Sequence, residues 1–232
     1  MKIILRHSVF VFILLFIASC TTISYVPKVS LDVSPQTINK TVLVEKFTDL
    51  SPKADCKNPF GGVSVTNAES LTSGLDLEVT NAIVSDFAVN GVFSQVSRKI
   101  ENPDYIMTGE IIKFSGKSEM NEYAKFAYVT ALVSVVAAPV LQNSLLYFGT
   151  VPLYSCYLGI PIMRNSANIE IRLKLYDNNR NLVGTYSAKH YQDEMNSMYR
   201  NKMMAVPTLT NQTFSNVVLQ LRDQMLEDLT KK

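Results

Sequence analysis

Between Lys125 and Arg164 the chain runs for thirty-eight residues, 126–163, without a single charged side chain. Few features constrain a fold more, because so much apolar chain must be covered by protein, by lipid or by a partner. Gln142-Asn143-Ser144 divides the run into arms of 16 and 19 residues. Polar residues at the middle and charges only at the outer ends predict a hairpin with wet tip and base and dry arms. In the first arm, Ala127, Ala131, Ser134 and Ala138 recur on one helical face, where small side chains let a second element approach closely. Pro139 should end or kink that helix. The second arm holds Gly149, Pro152, Gly159 and Pro161 among Tyr147, Phe148, Tyr154 and Tyr157, which predicts broken or extended structure carrying aromatics suited to a membrane interface.

Three readings of the run stand open. It is a buried part of the domain core, a segment that enters or rests on a membrane, or a protein–protein interface. In the latter two the contact residues are Phe126, Tyr128, Leu132, Val136, Leu145, Tyr147, Phe148, Tyr154 and Tyr157.

A second apolar stretch has a different meaning. Residues 1–19 combine a short basic start (Lys2, Arg6), an apolar run from Val9 to Ile17, and the small residues Ala18 and Ser19. This is the three-part pattern of a secretory signal, excluded from fold reasoning. Ile17-Ala18-Ser19-Cys20 resembles the lipobox of bacterial lipoproteins, which implies acylation of Cys20 and a lipid tether to a membrane. Thr21 follows where inner-membrane retention calls for Asp, so the resemblance implies the outer membrane, with the domain facing the periplasm. The alternative is an uncleaved anchor helix, and the run is short for one. Loss of Lys2 and Arg6 leaves 20 basic and 20 acidic residues, so charge offers no reason to bind nucleic acid.

The remainder reads as an α+β domain. Residues 20–38, rich in Ser, Thr and Pro, predict an extended tether. The span 39–118 is the first part of the domain, 119–165 the insertion and 166–232 the second part. A strand at Thr41–Phe47 is followed by a helix marked by Leu71, Leu75, Val79, Ile83 and Phe87 and stopped at Asn90-Gly91. A short run at Val92–Val96 and a long strand at Tyr105–Phe114 come next. Beyond the insertion, Ile169, Ile171, Leu173 and Leu175 alternate with Glu170, Arg172, Lys174 and Tyr176, a strand with one wet face. It turns at Asp177–Arg180 and returns over 182–191. Phe214, Val217, Val218, Leu221, Met225 and Leu229 mark a final amphipathic helix. The fold expected is a mixed sheet with two amphipathic helices on one face, interrupted by an apolar hairpin-like insertion.

The wording of these pieces, Lys-Thr-Val-Leu-Val at 40–44, Pro-Asp-Tyr-Ile-Met-Thr-Gly-Glu-Ile at 103–111 and Ile-Arg-Leu-Lys-Leu-Tyr-Asp at 171–177, resembles the periplasmic α/β lipoproteins of the curli-secretion type and their relatives. An apolar hairpin between two α/β halves is also similar to the surface-exclusion lipoproteins of conjugative plasmids, although this run is less Gly-rich. The resemblance implies a non-enzymatic accessory in assembly, secretion or transport across the envelope, acting through self-association or other envelope proteins. The other reading is a periplasmic module that regulates an envelope enzyme, with the apolar run part of its core. Fold alone does not choose between them.

Chemistry is sparse. His190 is the one histidine beyond the signal, so no His-based metal site or triad is expected, and no cofactor motif occurs. Asp193-Glu194 should point to opposite faces of a strand. Cys56 and Cys156 can pair as a disulfide in an oxidising compartment or remain two thiols. Met195, Met198, Met203 and Met204 form a Met-rich segment that either fills core or adapts to a partner.

Overall fold

The computed structural model describes residues 21–52, 63–65, 71, 73–197 and 202–231. Its strands are β1 (Thr21–Thr22), β2 (Ile38–Val44), β3 (Thr48–Asp49), β4 (Val63–Ser64), β5 (Phe93–Ser97), β6 (Tyr105–Met120), β7 (Met163–Asp177) and β8 (Leu182–Asn196). The helices are α1 (Leu75–Val89), α2 (Glu122–Leu141), α3 (Val151–Ser155) and α4 (Lys202–Thr230). Two 3-10 segments, Ser144–Thr150 and Cys156–Leu158, flank α3.

All the strands join one mixed sheet, with β6 at its centre. β6 pairs antiparallel with β7 from Tyr105↔Asp177 to Met120↔Met163, and β7 with β8 from Tyr176↔Leu182 to Met163↔Asn196. On its other side β6 meets three short partners in turn: β2 and β3 in parallel, then β4 antiparallel near its C-terminal end. β5 pairs with β2, and β1 with β4, both in parallel.

One face of the sheet is dry. Val42, Met107, Ile111, Phe114, Ile169, Ile171, Leu173 and Leu175 are buried against Val79, Ile83 and Phe87 of α1 and Phe214, Val217, Val218 and Leu221 of α4. The expected α+β architecture, two amphipathic helices on one face, is therefore the one observed. Phe114 meets Phe214 edge-on with ring centroids 5.4 Å apart. Gly109 leaves room for Phe47, whose ring carbons lie 2.6 Å from where a Cβ would stand. The opposite face is wet and paired by charge: Glu110 accepts from Arg172 and Lys174, and Arg164 donates to Asp193. The neighbouring cations hold the Glu110 carboxyl below the usual carboxylate range, the Lys174 hydrogen bond foremost.

Three elements depart from expectation. β6 and β7 run farther toward the insertion than the apolar pattern alone predicts, because pairing continues through Ser118↔Asn165 and Glu119↔Arg164. α4 begins at Lys202 and carries Pro207 within its N-terminal part. The segment after Thr22 is extended, as a tether should be, but it is docked. Tyr25 is 3% exposed and donates to Asn211 Oδ1 at 2.8 Å, Ser215 Oγ accepts from the Ser30 amide at 3.0 Å, and Arg222 Nη1 donates to the Asp32 carbonyl at 2.8 Å. A strap thus runs along α4, with Tyr25 in the core cluster and Val29 and Leu31 packed against it. Cys20, Cys56 and Met198 lie outside the described residues, and with them the signal and the disulfide.

Between the helices, Asp86 of α1 is 6% exposed and accepts from Asn90 Nδ2 at 2.7 Å, while its Oδ2 finds no partner among the described residues. Burial raises its pKa despite Asn90 and the charge of Arg222. An acid whose folded pKa lies above its unfolded one stabilises the fold fully below the unfolded pKa and loses that contribution as pH rises through the folded pKa. Asp86→Asn keeps the shape without the charge. Its melting temperature should exceed the parent's at pH 7, with the gap closing as pH falls toward 4, as thermal melts across that range will read.

Candidate functional site

Most of the exposed large apolar side chains of the described structure are gathered on the insertion. No residue of 121–162 belongs to the hydrophobic core of the domain, which corrects the reading of the run as core. Its helical segments pack on one another and scarcely touch the sheet or the other helices. It therefore stands off the end of the β6–β7 hairpin as a second, helical hairpin.

Asn121 builds the base. Its side-chain Oδ1 accepts from the Ala124 amide at 2.8 Å and caps α2, and its Nδ2 donates to the Pro161 carbonyl at 2.7 Å. The Asn121 amide donates to the Ile162 carbonyl, and the Ile162 amide to that of Asn196, so both feet are tied to the sheet. Glu122 and Lys125 form an ion pair there, 2.7 Å apart.

Along α2 the face formed by Ala124, Ala127, Ala131, Ser134 and Ala138 is buried. This is the small-residue stripe seen in the sequence, and the returning arm lies on it. A Cβ on Gly149 would stand 1.9 Å from Ser134 Oγ and 3.4 Å from the Thr130 carbonyl. The helix ends beyond Pro139 with Gln142 in the left-handed region at φ 50°, and Asn143 Oδ1 accepts from the Leu145 amide. The second arm is broken, as its glycines and prolines imply: a 3-10 segment, the single turn of α3 and another 3-10 turn. Tyr123 Oη bonds Ser155 Oγ across the arms. Cys156 is buried within the arm, its Sγ 3.7 Å from the Pro152 carbonyl.

The other faces are bare. Of the contact residues expected from sequence, Phe126, Val136, Leu145, Tyr147, Phe148, Tyr154 and Tyr157 are exposed, Phe126 to 60% and Phe148 to 70%, while Tyr128 and Leu132 are half-buried. Val133, Val140 and Leu158, the last 85% exposed, extend the surface. Their signal was present in the sequence as the positions between the small residues. Among the described residues, α2 alone is long and apolar enough to cross a membrane.

Elsewhere the polar side chains pair as structure. His190 Nε2 lies 3.4 Å from Asn216 Nδ2 of α4. Asp193 takes Arg164, whereas Glu194 accepts from Asn196 and Asn165, so the two acids serve opposite faces as expected. Among the described residues no three His, Cys, Asp or Glu side chains gather where a metal ion could be held. Met195 and Met204 are exposed.

No family model and no curated protein matches this chain. Of 17 solved chains that are similar in outline, two illustrate the likeness. A Xanthomonas campestris protein, XCC0632, of family DUF330, shares 15% identity at a TM-score of 0.49, covering 89% of this chain and 96% of that one. An uncharacterized protein shares 8% at 0.41, covering 86% of this chain and 99% of its own.

Replacing Gly149 by Val should push the arms apart, at a cost of about 1–3 kcal/mol to their packing. Chymotrypsin should then cut the second arm faster than in the parent, while the melting of the sheet domain stays unchanged.

Proposed function

We propose that this protein is an outer-membrane lipoprotein acting as a non-enzymatic accessory in assembly, secretion or transport across the envelope, with the helical hairpin as its working surface. The observation that carries the reading is the exposure of the hairpin. An apolar surface of this extent outside the core has a free-energy cost in water that only a membrane or a partner relieves. The lipobox-like Ile17-Ala18-Ser19-Cys20 supplies the location. The charge-paired sheet face and the α4 strap supply a rigid body to which the hairpin is fixed at both feet.

Because the core takes nothing from 121–162, replacing residues 126–160 with a short polar turn should leave the melting temperature of the acylated domain unchanged. The same deletion should abolish the crosslinks the parent forms in cells with envelope components, identified by mass spectrometry. Crosslinks that persist undiminished would place the working surface on the sheet domain and favour regulation of an envelope enzyme.

A further inference from the structure

Strand β1, which directly follows Cys20 in the sequence, and the hairpin lie at the same end of the domain. β1 pairs with β4 through Thr21↔Val63, and β4 with β6 through Val63↔Ser118, so Thr21, Val63 and Ser118 lie in one row across the sheet. With strands about 4.8 Å apart, Thr21 stands about 10 Å from Ser118, which is two residues short of the end of β6. Direction matters as much as distance. β1 runs parallel to β4 and β4 antiparallel to β6, so β1 runs away from the end at which β6 enters the hairpin. Followed back from Thr22 to Thr21, the chain therefore heads toward the hairpin end, and Cys20 is the residue before Thr21 in the sequence.

From this register we infer that the hairpin is embedded in the same bilayer that holds the lipids of Cys20, entering from the same side, so that the domain stands end-on with the β6–β7 strands pointing into the membrane. The inference rests on the lipoprotein reading above and adds the occupant of the hairpin and the orientation of the domain.

The hairpin's own chemistry agrees. The uncharged stretch of α2 after Lys125 is about 24 Å long, close to a bacterial outer membrane, which is thinner than the average bilayer. Charge is confined to the base, at Glu122, Lys125 and Arg164, with Tyr123, Tyr154 and Tyr157 near it, where interfacial aromatics belong. Valines fill the middle of α2, and Gln142, Asn143 and Ser144 form a polar tip at the far boundary. Each arm bonds most of its backbone internally as helix or 3-10 turn, which hydrocarbon requires. Acyl chains on Cys20 already supply affinity, so the hairpin's contribution is orientation.

The chain contains no Trp, so single-Trp variants report on one place each. The full acylated protein is reconstituted into vesicles containing brominated phosphatidylcholine, with Val133→Trp or Phe148→Trp in the hairpin and Leu182→Trp at the opposite end of the sheet. Mass spectrometry of the same preparations first reads the lipids on Cys20. Hairpin emission should be quenched by about half or more by lipid of the protein's own vesicle, as for groups at hydrocarbon depth. Leu182→Trp should be unaffected. Quenching only by a second, added population of brominated vesicles would overturn the shared membrane in favour of a bridge between two membranes. An acylated protein quenched by neither would overturn it in favour of a protein interface. An unmodified Cys20 would instead remove the lipoprotein reading itself.

Discussion

The antiparallel pairing of β6 with β7 is the constraint on which the other elements depend. It continues from Tyr105↔Asp177 to Met120↔Met163, and each end of it does something different. Toward Tyr105 its inner side chains form the floor on which α1 and α4 lie. Toward Met120 it brings two strand ends within hydrogen-bonding distance and so fixes the feet of a helical hairpin. A register shift of one residue would turn Ile169, Ile171 and Leu173 to the wet face. It would also part Asn121 from Pro161 and Ile162, so core and hairpin stand or fall on the same ladder.

Much of this architecture was legible because period and burial agree. The alternation from Ile169 to Tyr176 and the four-residue recurrence from Leu75 to Phe87 each place one apolar face, and one sheet with two covering helices satisfies both. The small residues of α2 were equally readable, since Ala127, Ala131, Ser134 and Ala138 have no purpose on a helix face except close approach. Less legible was whether the large residues between them faced protein. Apolar composition is the same for a buried helix and a bare one, and only the lack of a facing element distinguishes them.

The strap was illegible for another reason. Hydrogen bonds join Tyr25, Lys28, Ser30 and Asp32 to Asn211, Ser215 and Arg222, about 185 residues away in the chain. The inward alternation of Ile23, Tyr25, Val29 and Leu31 is a period-two trace, but it is diluted by the Ser, Thr and Pro that mark the segment as linker. The extension of β6 through Ser118 carries no apolar signal either, because the buried positions there are polar: Ser118 on one strand and its partner Asn165 on the other.

Docking of the strap changes what a lipid at Cys20 can do. Eighteen free residues could let a domain wander up to about 60 Å from its anchor and sample the space between membranes. Here Ile23 and Tyr25 are already part of the folded body, so almost no slack remains. On the lipoprotein reading proposed above, a lipid at Cys20 would hold the domain flush with its membrane, and whatever it meets would have to come to that surface.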